Sequence, residues 1–506
     1  MNIFSIAVNI HDHNWYDGNL HYQAERYTRK KHNLNSKDSH DPTLSRIFFA
    51  EHFIPRYHTQ SETDLFAFTV SNLGQQFVKD LLEKTLPNMS FLDFIPENLW
   101  DRYHTDSYYY IDHHQSHAAY AFLTSGFEES DILAIDGRGW QFTCIFVDKT
   151  GKIIDLSETA SIGGLWNRLA QDLGMGYLGA GKVMGLAAYG KYNSEIHTVI
   201  NLYLETPNHR LSDSNKKLVK STPKEDVAYT LQYATEELVK EQIIPLKTSD
   251  NICVAGGVAY NGYVNEMLTK YYEKVHVPPA IGDEGQSIGT YMHADYVLNR
   301  NIQDITVYAG QEYNFQPREM DSLIAEEHDF QDLLAYISKM IADGKIIGWY
   351  QGNSESGNRA LGNRSILADP RNPDIKDIIN RTIKKREDFR PFAPAVLEEH
   401  YQEYFETNQP SPFMSRIVPV ISDKIPGITH VDGTARIQTV NNINNSKFYS
   451  LINEFYKLTG VPILLNTSFN CQEPIVETPE EAIETYKKTE LDILVIDNFV
   501  ISKNHD

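Results

Sequence analysis

Asp131-Ile-Leu-Ala-Ile-Asp136-Gly137-Arg-Gly139 is an apolar run of strand length that ends in an aspartate and two glycines. Trp140–Val147 reads as a returning strand, and Lys149-Thr-Gly-Lys152 supplies the next turn. The start of the chain repeats this plan. Residues 3–10 form a weakly alternating buried strand that leads into Asn9-Ile-His11-Asp12-His13-Asn14. Tyr16-Asp-Gly-Asn19 is a hairpin turn signal, and Leu20–Glu25 is the strand that returns. Two copies of strand, acidic loop and hairpin predict an internally duplicated α/β domain whose acidic ends face one cleft.

Such a duplication is the plan of the actin and sugar-kinase superfamily. Between the copies lies Asp112-His-His-Gln-Ser-His-Ala-Ala-Tyr-Ala-Phe-Leu, in which Asp112 is a helix N-cap and the alanines favour helix. His113 and His117 stand four apart, so a helix puts both imidazoles on one face, where two nitrogens can meet one metal. An incidental pair gives the same spacing. Asp136, and Asp283 in Pro278-Pro-Ala-Ile-Gly-Asp-Glu-Gly, would complete a set of two imidazoles and two carboxylates. That chemistry suits Fe2+, Zn2+ or Mn2+, and spacing does not choose among them. Ile252-Cys-Val-Ala-Gly256-Gly257-Val-Ala-Tyr-Asn261 is a strand running into a double glycine and a helix, a junction that serves phosphate or simply packing. Gly179-Ala-Gly181-Lys182-Val-Met-Gly185 is glycine-rich but lacks P-loop spacing, so Lys182 has no Walker role.

Residues 305–343 change character, with charged amphipathic helices such as Gln331–Asp343. The domain boundary is placed there, giving a first domain of 1–335 and a second of 336–506. The second is organised around Trp349-Tyr-Gln-Gly-Asn-Ser-Glu-Ser-Gly-Asn-Arg359-Ala-Leu-Gly-Asn-Arg364-Ser-Ile-Leu-Ala-Asp-Pro-Arg371. An apolar strand feeds a loop with Gly352, Gly357 and Gly362; Arg381, Lys384, Lys385, Arg386 and Arg390 follow. Glycines let backbone N–H groups approach an anion, and guanidinium forks pair two oxygens. A cationic loop in a chain of net charge −22 is a candidate seat for a phosphorylated small molecule. Phe389–Val396 is extended and proline-bounded, and Val461–Asn466 is a strand that ends in small polar groups.

At 506 residues the chain is too long for one core. Its three cysteines, Cys144, Cys253 and Cys471, have no CxxC spacing, which argues against disulfide scaffolds and cysteine zinc sites and fits a reducing, cytoplasmic setting. The first ten residues look like a strand and not a signal peptide, and no apolar run is long enough for a bilayer. The acidic balance opposes tracking along nucleic acid, though not binding of one nucleotide.

Taken together, the motifs resemble the O-carbamoyltransferases of the nodulation-factor, cephamycin and tobramycin type. They include His11-Asp12, the Glu25–His32 segment, HHxxH, GKxMGLAAYG, AGGVAxN, RALGNRSILADPR, KxRExFRPFAP, HVDGTARxQTV and LLNTSFN. The resemblance implies an actin-like N-terminal domain and a YrdC-like C-terminal α/β domain. It implies carbamoyl phosphate and ATP as substrates, carbamoyl-adenylate as intermediate, and a hydroxylated acceptor. By resemblance, Arg359, Arg364, Lys385, Arg386 and Arg390 would line the donor pocket. Gly181, Lys182, Gly185, Gly256, Gly257, Asn261, Arg436, Asn466, Thr467 and Ser468 would serve the nucleotide. Mg2+ would accompany ATP, and His113, His117, Asp136 and Asp283 would hold Fe2+, with Zn2+ or Mn2+ as alternatives. His11 or Asp12 is the candidate base; a core or metal-supporting histidine is the alternative for His11.

The chain departs from the family pattern at Asn353-Ser354 and Gly357-Asn358-Arg359, where the family carries a further arginine and Gly-Pro-Arg. Bulky His11-Asp12-His13-Asn14-Trp15 replaces small residues and implies an unusual acceptor. A sugar or other natural product is the first acceptor considered, and a hydroxymethyl-pyrimidine in nucleotide or DNA the second, with Trp15 as an exposed stacking ring. The rivals are a non-catalytic nucleotide-binding homologue and a threonylcarbamoyl-type tRNA factor. The order of the halves and the acidic surface oppose the tRNA factor.

Overall fold

β1 (Ile3–Val8) and β6 (Asp131–Ile135), the two runs singled out above, are the central strands of two five-stranded sheets. The computed structural model describes residues 3–8, 14–29, 65–70, 108–137, 143–158, 162–205, 211–317 and 323–503. In the first sheet the order is β3-β2-β1-β4-β5, with β2 (Asn14–Tyr16), β3 (His21–Gln23), β4 (Leu65–Val70) and β5 (Tyr108–Tyr110). In the second it is β8-β7-β6-β9-β10, with β7 (Cys144–Val147), β8 (Ile153–Asp155), β9 (Asn251–Ala255) and β10 (Lys274–His276). Each sheet has two antiparallel hairpin pairings on one side of its central strand and two parallel pairings on the other. The predicted duplication is therefore present in order and direction, and the first unit has the duplicated α/β plan of the actin-like fold.

Both hairpins turn where the sequence placed them. Asp17 accepts the N–H groups of Asn19 and Leu20, and Asp148 accepts those of Thr150 and Lys152.

The helix after each sheet's last strand packs on the other sheet. Helix His113–Leu123 follows β5 and lies on β6 and β9; helix Gln286–Asn299 comes after β10 and lies on β1, β2 and β4. The two exchanged helices pack against each other. Their contact is backbone-close: a Cβ on Gly289 would sit 2.2 Å from the Ser116 carbonyl oxygen. Ser116 Oγ seals the crossing by donating to the Gln286 carbonyl at 2.9 Å. Asp112 caps the first of these helices as expected, accepting from His114 N and Gln115 N.

The chain divides into compact units 1–306 and 307–506, not at 335/336. Residues 307–310 belong to the second unit because they bond its central loop: Ser356 N donates to Val307 O, and Gly310 N to Ser354 O. β11 (Leu323–Glu327) likewise pairs with β19 (Phe499–Lys503), a partner too distant in sequence for local pattern to reveal.

The second unit is built on a nine-stranded mixed sheet in the order β11-β19-β18-β12-β13-β17-β14-β16-β15. Its other strands are β12 (Ile347–Tyr350), β13 (Arg364–Ala368), β14 (Ala393–Leu397), β15 (Arg416–Pro419), β16 (Thr434–Val440), β17 (Ile463–Ser468) and β18 (Ile493–Ile496). The glycine loop joins β12 to β13, and LLNTSFN is β17 with its C-terminal end, next to β13. Helices Phe330–Ala342 and Ser446–Thr459 pack on each other over one continuous core. Among the described residues no helix is long and apolar enough to cross a membrane.

Two glycines separate packing from helix propensity. Gly289→Ala is expected to destabilise the first unit by about 1–3 kcal/mol, because the methyl group meets backbone. Gly181→Ala, with nothing within 4 Å of its Cβ position, is expected to be neutral or stabilising by up to about 1 kcal/mol. Denaturant titration of both variants checks the contrast.

Candidate functional site

Asp136 stands at the end of β6, where the strand meets the double glycine that follows β9. Its Oδ1 accepts the N–H groups of Gly137 (2.6 Å) and Gly257 (3.2 Å). A Cβ on Gly257 would lie 2.7 Å from that oxygen, and Gly256 holds the positive φ of 88° that turns the chain there. Oδ2 is left facing His113 Nε2 at 3.2 Å and His117 Nε2 at 3.3 Å. Asp283, at the foot of the other exchanged helix, brings Oδ1 to 3.4 Å and 3.5 Å from the same two nitrogens. The four predicted ligands thus converge, with one ligand atom from each lying within 4.8 Å of all the others.

These spacings fit a cation. Ligand atoms about 2.1 Å from one ion lie roughly 3.0–3.4 Å apart at neighbouring corners of an octahedron or tetrahedron. His117 Nε2 and Asp283 Oδ1 are buried without a hydrogen bond of acceptable geometry, as atoms aimed at an ion would be. Burial lowers the His117 pKa, but the nearby Asp136 and Asp283 carboxylates outweigh it and lift the imidazole to about 9. Burial likewise works against the Asp136 anion, yet His113 and His117 hold its pKa well below the ordinary carboxylate value. An ion there would take the proton's place.

The other first-unit residues expected at a site divide. Gly256 and Gly257 shape the Asp136 end of the cluster. Asn261 is buried and occupied: it caps helix Gly262–Leu268 through Val264 N and exchanges hydrogen bonds with Gln232. Its side-chain oxygen and amide nitrogen are thus both engaged within the protein. Gly181, Lys182 and Gly185 lie on helix Ala180–Ala187 and not in a loop, with Gly181 exposed and the other two half-buried. His11 and Asp12 lie outside the described residues. Trp15, expected as an exposed ring, is 1% exposed and stacked on Tyr22.

In the second unit the loop between β12 and β13 does not offer all its amides to an anion. Glu355, buried, accepts the N–H groups of Leu361 (2.6 Å), Asn363 (2.9 Å) and Arg364 (3.2 Å). Ser365 Oγ accepts that of Gly362. Nor does Arg364 reach solvent, being 0% exposed. Its Nη1 donates to the carbonyls of Gln351, Gly352 and Asn363, and its guanidinium lies 3.5 Å from the Tyr350 ring centroid. It clamps the loop it stands in, away from the solvent-facing donor contact expected of it.

Three of the other cations expected at the donor pocket are Arg359, Arg386 and Arg390. Burial and the charge of Arg390 push Arg386 down to about 9. Burial also lowers Arg390, and Arg359 adds to that through repulsion while Glu387 opposes it. Arg390 therefore lies within electrostatic reach of both Arg386 and Arg359 in partly desolvated surroundings, with Glu387 3.8 Å from its Nη1. Arg386 Nε is aimed by the buried Asn380, and its guanidinium lies over Phe392.

Lys385, assigned to the same pocket, is exposed and takes a left-handed backbone (φ 47°) that ends the preceding helical turn. Lys384 turns inward instead. Its Nζ donates to the Ser468 carbonyl, to Asn470 Oδ1 (2.6 Å) and to Asn470 O (3.1 Å). It thereby joins the predicted LLNTSFN strand to the basic run. Asn466 is buried, donating to Ala360 O and Gln438 Oε1 beside Arg359. Thr467 and Ser468 are half-buried at the same strand end, and Arg436 on β16 donates to Met414 O.

A family model described as the carbamoyltransferase N-terminus matches residues 21–292, and one described as the carbamoyltransferase C-terminus matches 338–503. The chain belongs to the carbamoyltransferase family. Nodulation protein NolO of Bradyrhizobium diazoefficiens is 37% identical over 434 residues, covering 78% of this chain and 79% of that one. Nodulation protein NolNO of Sinorhizobium fredii is 38% identical over 438 residues, covering 78% of this chain but only 64% of its own length. The Clostridium difficile activator of 2-hydroxyisocaproyl-CoA dehydratase matches 59% of this chain and 96% of its own at 10% identity, with a TM-score of 0.35, too weak to carry a site assignment.

Two expectations follow for this carbamoyltransferase. Because a proton on His117 must leave, affinity for a divalent metal is expected to rise roughly tenfold per pH unit below pH 9; calorimetry at pH 6, 7 and 8 measures it. Arg364→Ala is expected to cost about 2–5 kcal/mol of stability in the second unit, whereas Arg359→Ala costs less and instead weakens the thermal shift given by carbamoyl phosphate.

Proposed function

We propose that the protein makes carbamoyl-adenylate from carbamoyl phosphate and ATP in its second unit. In its first unit it passes the carbamoyl group to a hydroxyl of a small molecule, a sugar or another natural product. The observation that carries the donor assignment is the partly buried Arg386, beside Arg390 and, among the described residues, short of a carboxylate partner at hydrogen-bond distance, with Arg359 near Arg390. Guanidiniums repelled in partly buried surroundings are relieved by a polyanion, and their forks match phosphate oxygens. With one water, carbamoyl phosphate and ATP balance as carbamoyl-adenylate, pyrophosphate and phosphate. Every species except water is anionic, so cationic side chains stabilise the charge that builds at phosphorus. Mg2+ would be held largely by ATP itself.

For the second step His113, His117, Asp136 and Asp283 would hold a divalent ion, Fe2+ by family and Zn2+ or Mn2+ by chemistry. Such an ion, when bound, polarises a carbonyl and steadies phosphate oxygens. The acceptor oxygen bonds to the carbamoyl carbon, the bond from that carbon to the AMP oxygen breaks, and AMP leaves. The acceptor's proton goes to a base, for which His11 and Asp12 remain the candidates. The amides of Gly137 and Gly257 hold Asp136 Oδ1 still during this exchange.

Among acceptors, a hydroxymethyl-pyrimidine in nucleotide or DNA loses the stacking ring proposed for it, since Trp15 is in the core. The convergence of four ligands favours an enzyme over a non-catalytic homologue. Purified protein given carbamoyl phosphate and ATP is expected to release pyrophosphate. Chelation of the first-unit ion, with chelator then removed and Mg2+ restored, should leave that release within about twofold while removing transfer, since the two steps use different groups. Equal loss of both on chelation would refute this division of labour.

A further inference from the structure

The short turn Gly257–Tyr260 reaches toward both carboxylates of the cluster. At its first residue Gly257 N–H donates to Asp136 Oδ1. At its last the Tyr260 hydroxyl donates to Oε1 of Glu284, the residue after Asp283. Glu284 is 3% exposed, and the same Oε1 accepts Gly282 N–H at 3.2 Å. One carboxylate oxygen thus ties the residue before Asp283 to the residue after it, and Tyr260 anchors that staple to the glycine turn. Gly282 has no room for a side chain there: a Cβ would lie 2.6 Å from Glu284 Oε2 and 3.2 Å from the Tyr260 ring. On the other side, Asn14 Nδ2 donates to the Asp283 carbonyl (2.8 Å) while Asn14 Oδ1 accepts Ser287 N–H.

Glu284 is not one of the four converging residues, and a buried carboxylate beside a ligand is costly unless its contacts do something. From this geometry we infer that Tyr260 and Glu284 are positioning residues, which set the reach of Asp283 Oδ1 toward His113 and His117. They act through hydrogen bonds and not through charge. The inference rests on the reading of that cluster as a metal centre. Partners of ligating carboxylates ordinarily change metal affinity by about 10–100-fold.

The test uses the full chain, stripped with chelator and titrated with Co2+ by calorimetry and visible absorption. Tyr260→Phe is expected to bind Co2+ at least about tenfold more weakly, with a shifted ligand-field band. Its metal-free melting temperature should stay within about 4 °C of wild type. Glu284→Gln keeps an acceptor oxygen and is expected to bind within about threefold of wild type, whereas Glu284→Ala loses about tenfold or more. Wild-type affinity and spectrum in Tyr260→Phe would overturn the positioning role and leave the metal centre standing. So would a Glu284→Gln as weak as Glu284→Ala, since charge would then be the agent. Wild type that takes up no Co2+, or a His113→Ala variant that binds as well, would remove the metal centre and this inference together.

Discussion

The first unit depends on how a single carboxylate is divided. Asp136 gives Oδ1 to two backbone amides and keeps Oδ2 for two imidazoles. An aspartate held at one oxygen cannot swing, so its other oxygen is set by the backbone and not by a rotamer. This requires β6 to end at that point, the chain after β9 to turn on Gly256, and Gly257 to carry no side chain. It also requires helix His113–Leu123 to approach closely enough for His113 and His117 to meet the free oxygen. Gly289 and Ser116 bring the other exchanged helix, with Asp283 at its foot, close to that one. The sheet order, the helix crossing and the ligand geometry are therefore parts of one constraint.

In the second unit charge is sorted by depth. Carboxylates and carbonyls around the loop absorb its amides and one guanidinium, Arg364. Arg386 and Arg390 are partly buried beyond it, in a chain of net charge −22, with Glu387 paired to Arg390. Loop shape therefore comes from Glu355 and Arg364, and it differs from a glycine cradle.

Much of this was legible because it is local. A strand followed by an aspartate and glycine, a histidine pair at one helical turn, and an Asp N-cap all follow from near neighbours in sequence. The duplicated sheet order and the four-residue cluster agree with that reading. What was not legible depended on burial. Arg359 and Arg364 look alike in sequence, but only Arg364 falls on a strand whose other face is core. Lys384 and Lys385 differ by one position, and a left-handed residue at 385 sends their side chains apart. Glu355 gave no signal because its partners lie in its own loop, whose path no periodicity encodes. The unit boundary was misplaced because β11 finds its partner at the far end of the chain.

The exchange of the two long helices also bears on how the first unit is assembled. Each sheet is roofed by a segment that the other half of the sequence supplies, so neither half has a finished interior by itself. Separating the halves at the segment between them would strip an apolar face from both. The cluster of His113, His117, Asp136 and Asp283 draws on both exchanged helices. It comes into being only when the swap is complete, which makes it a reporter of correct assembly as well as a centre for chemistry.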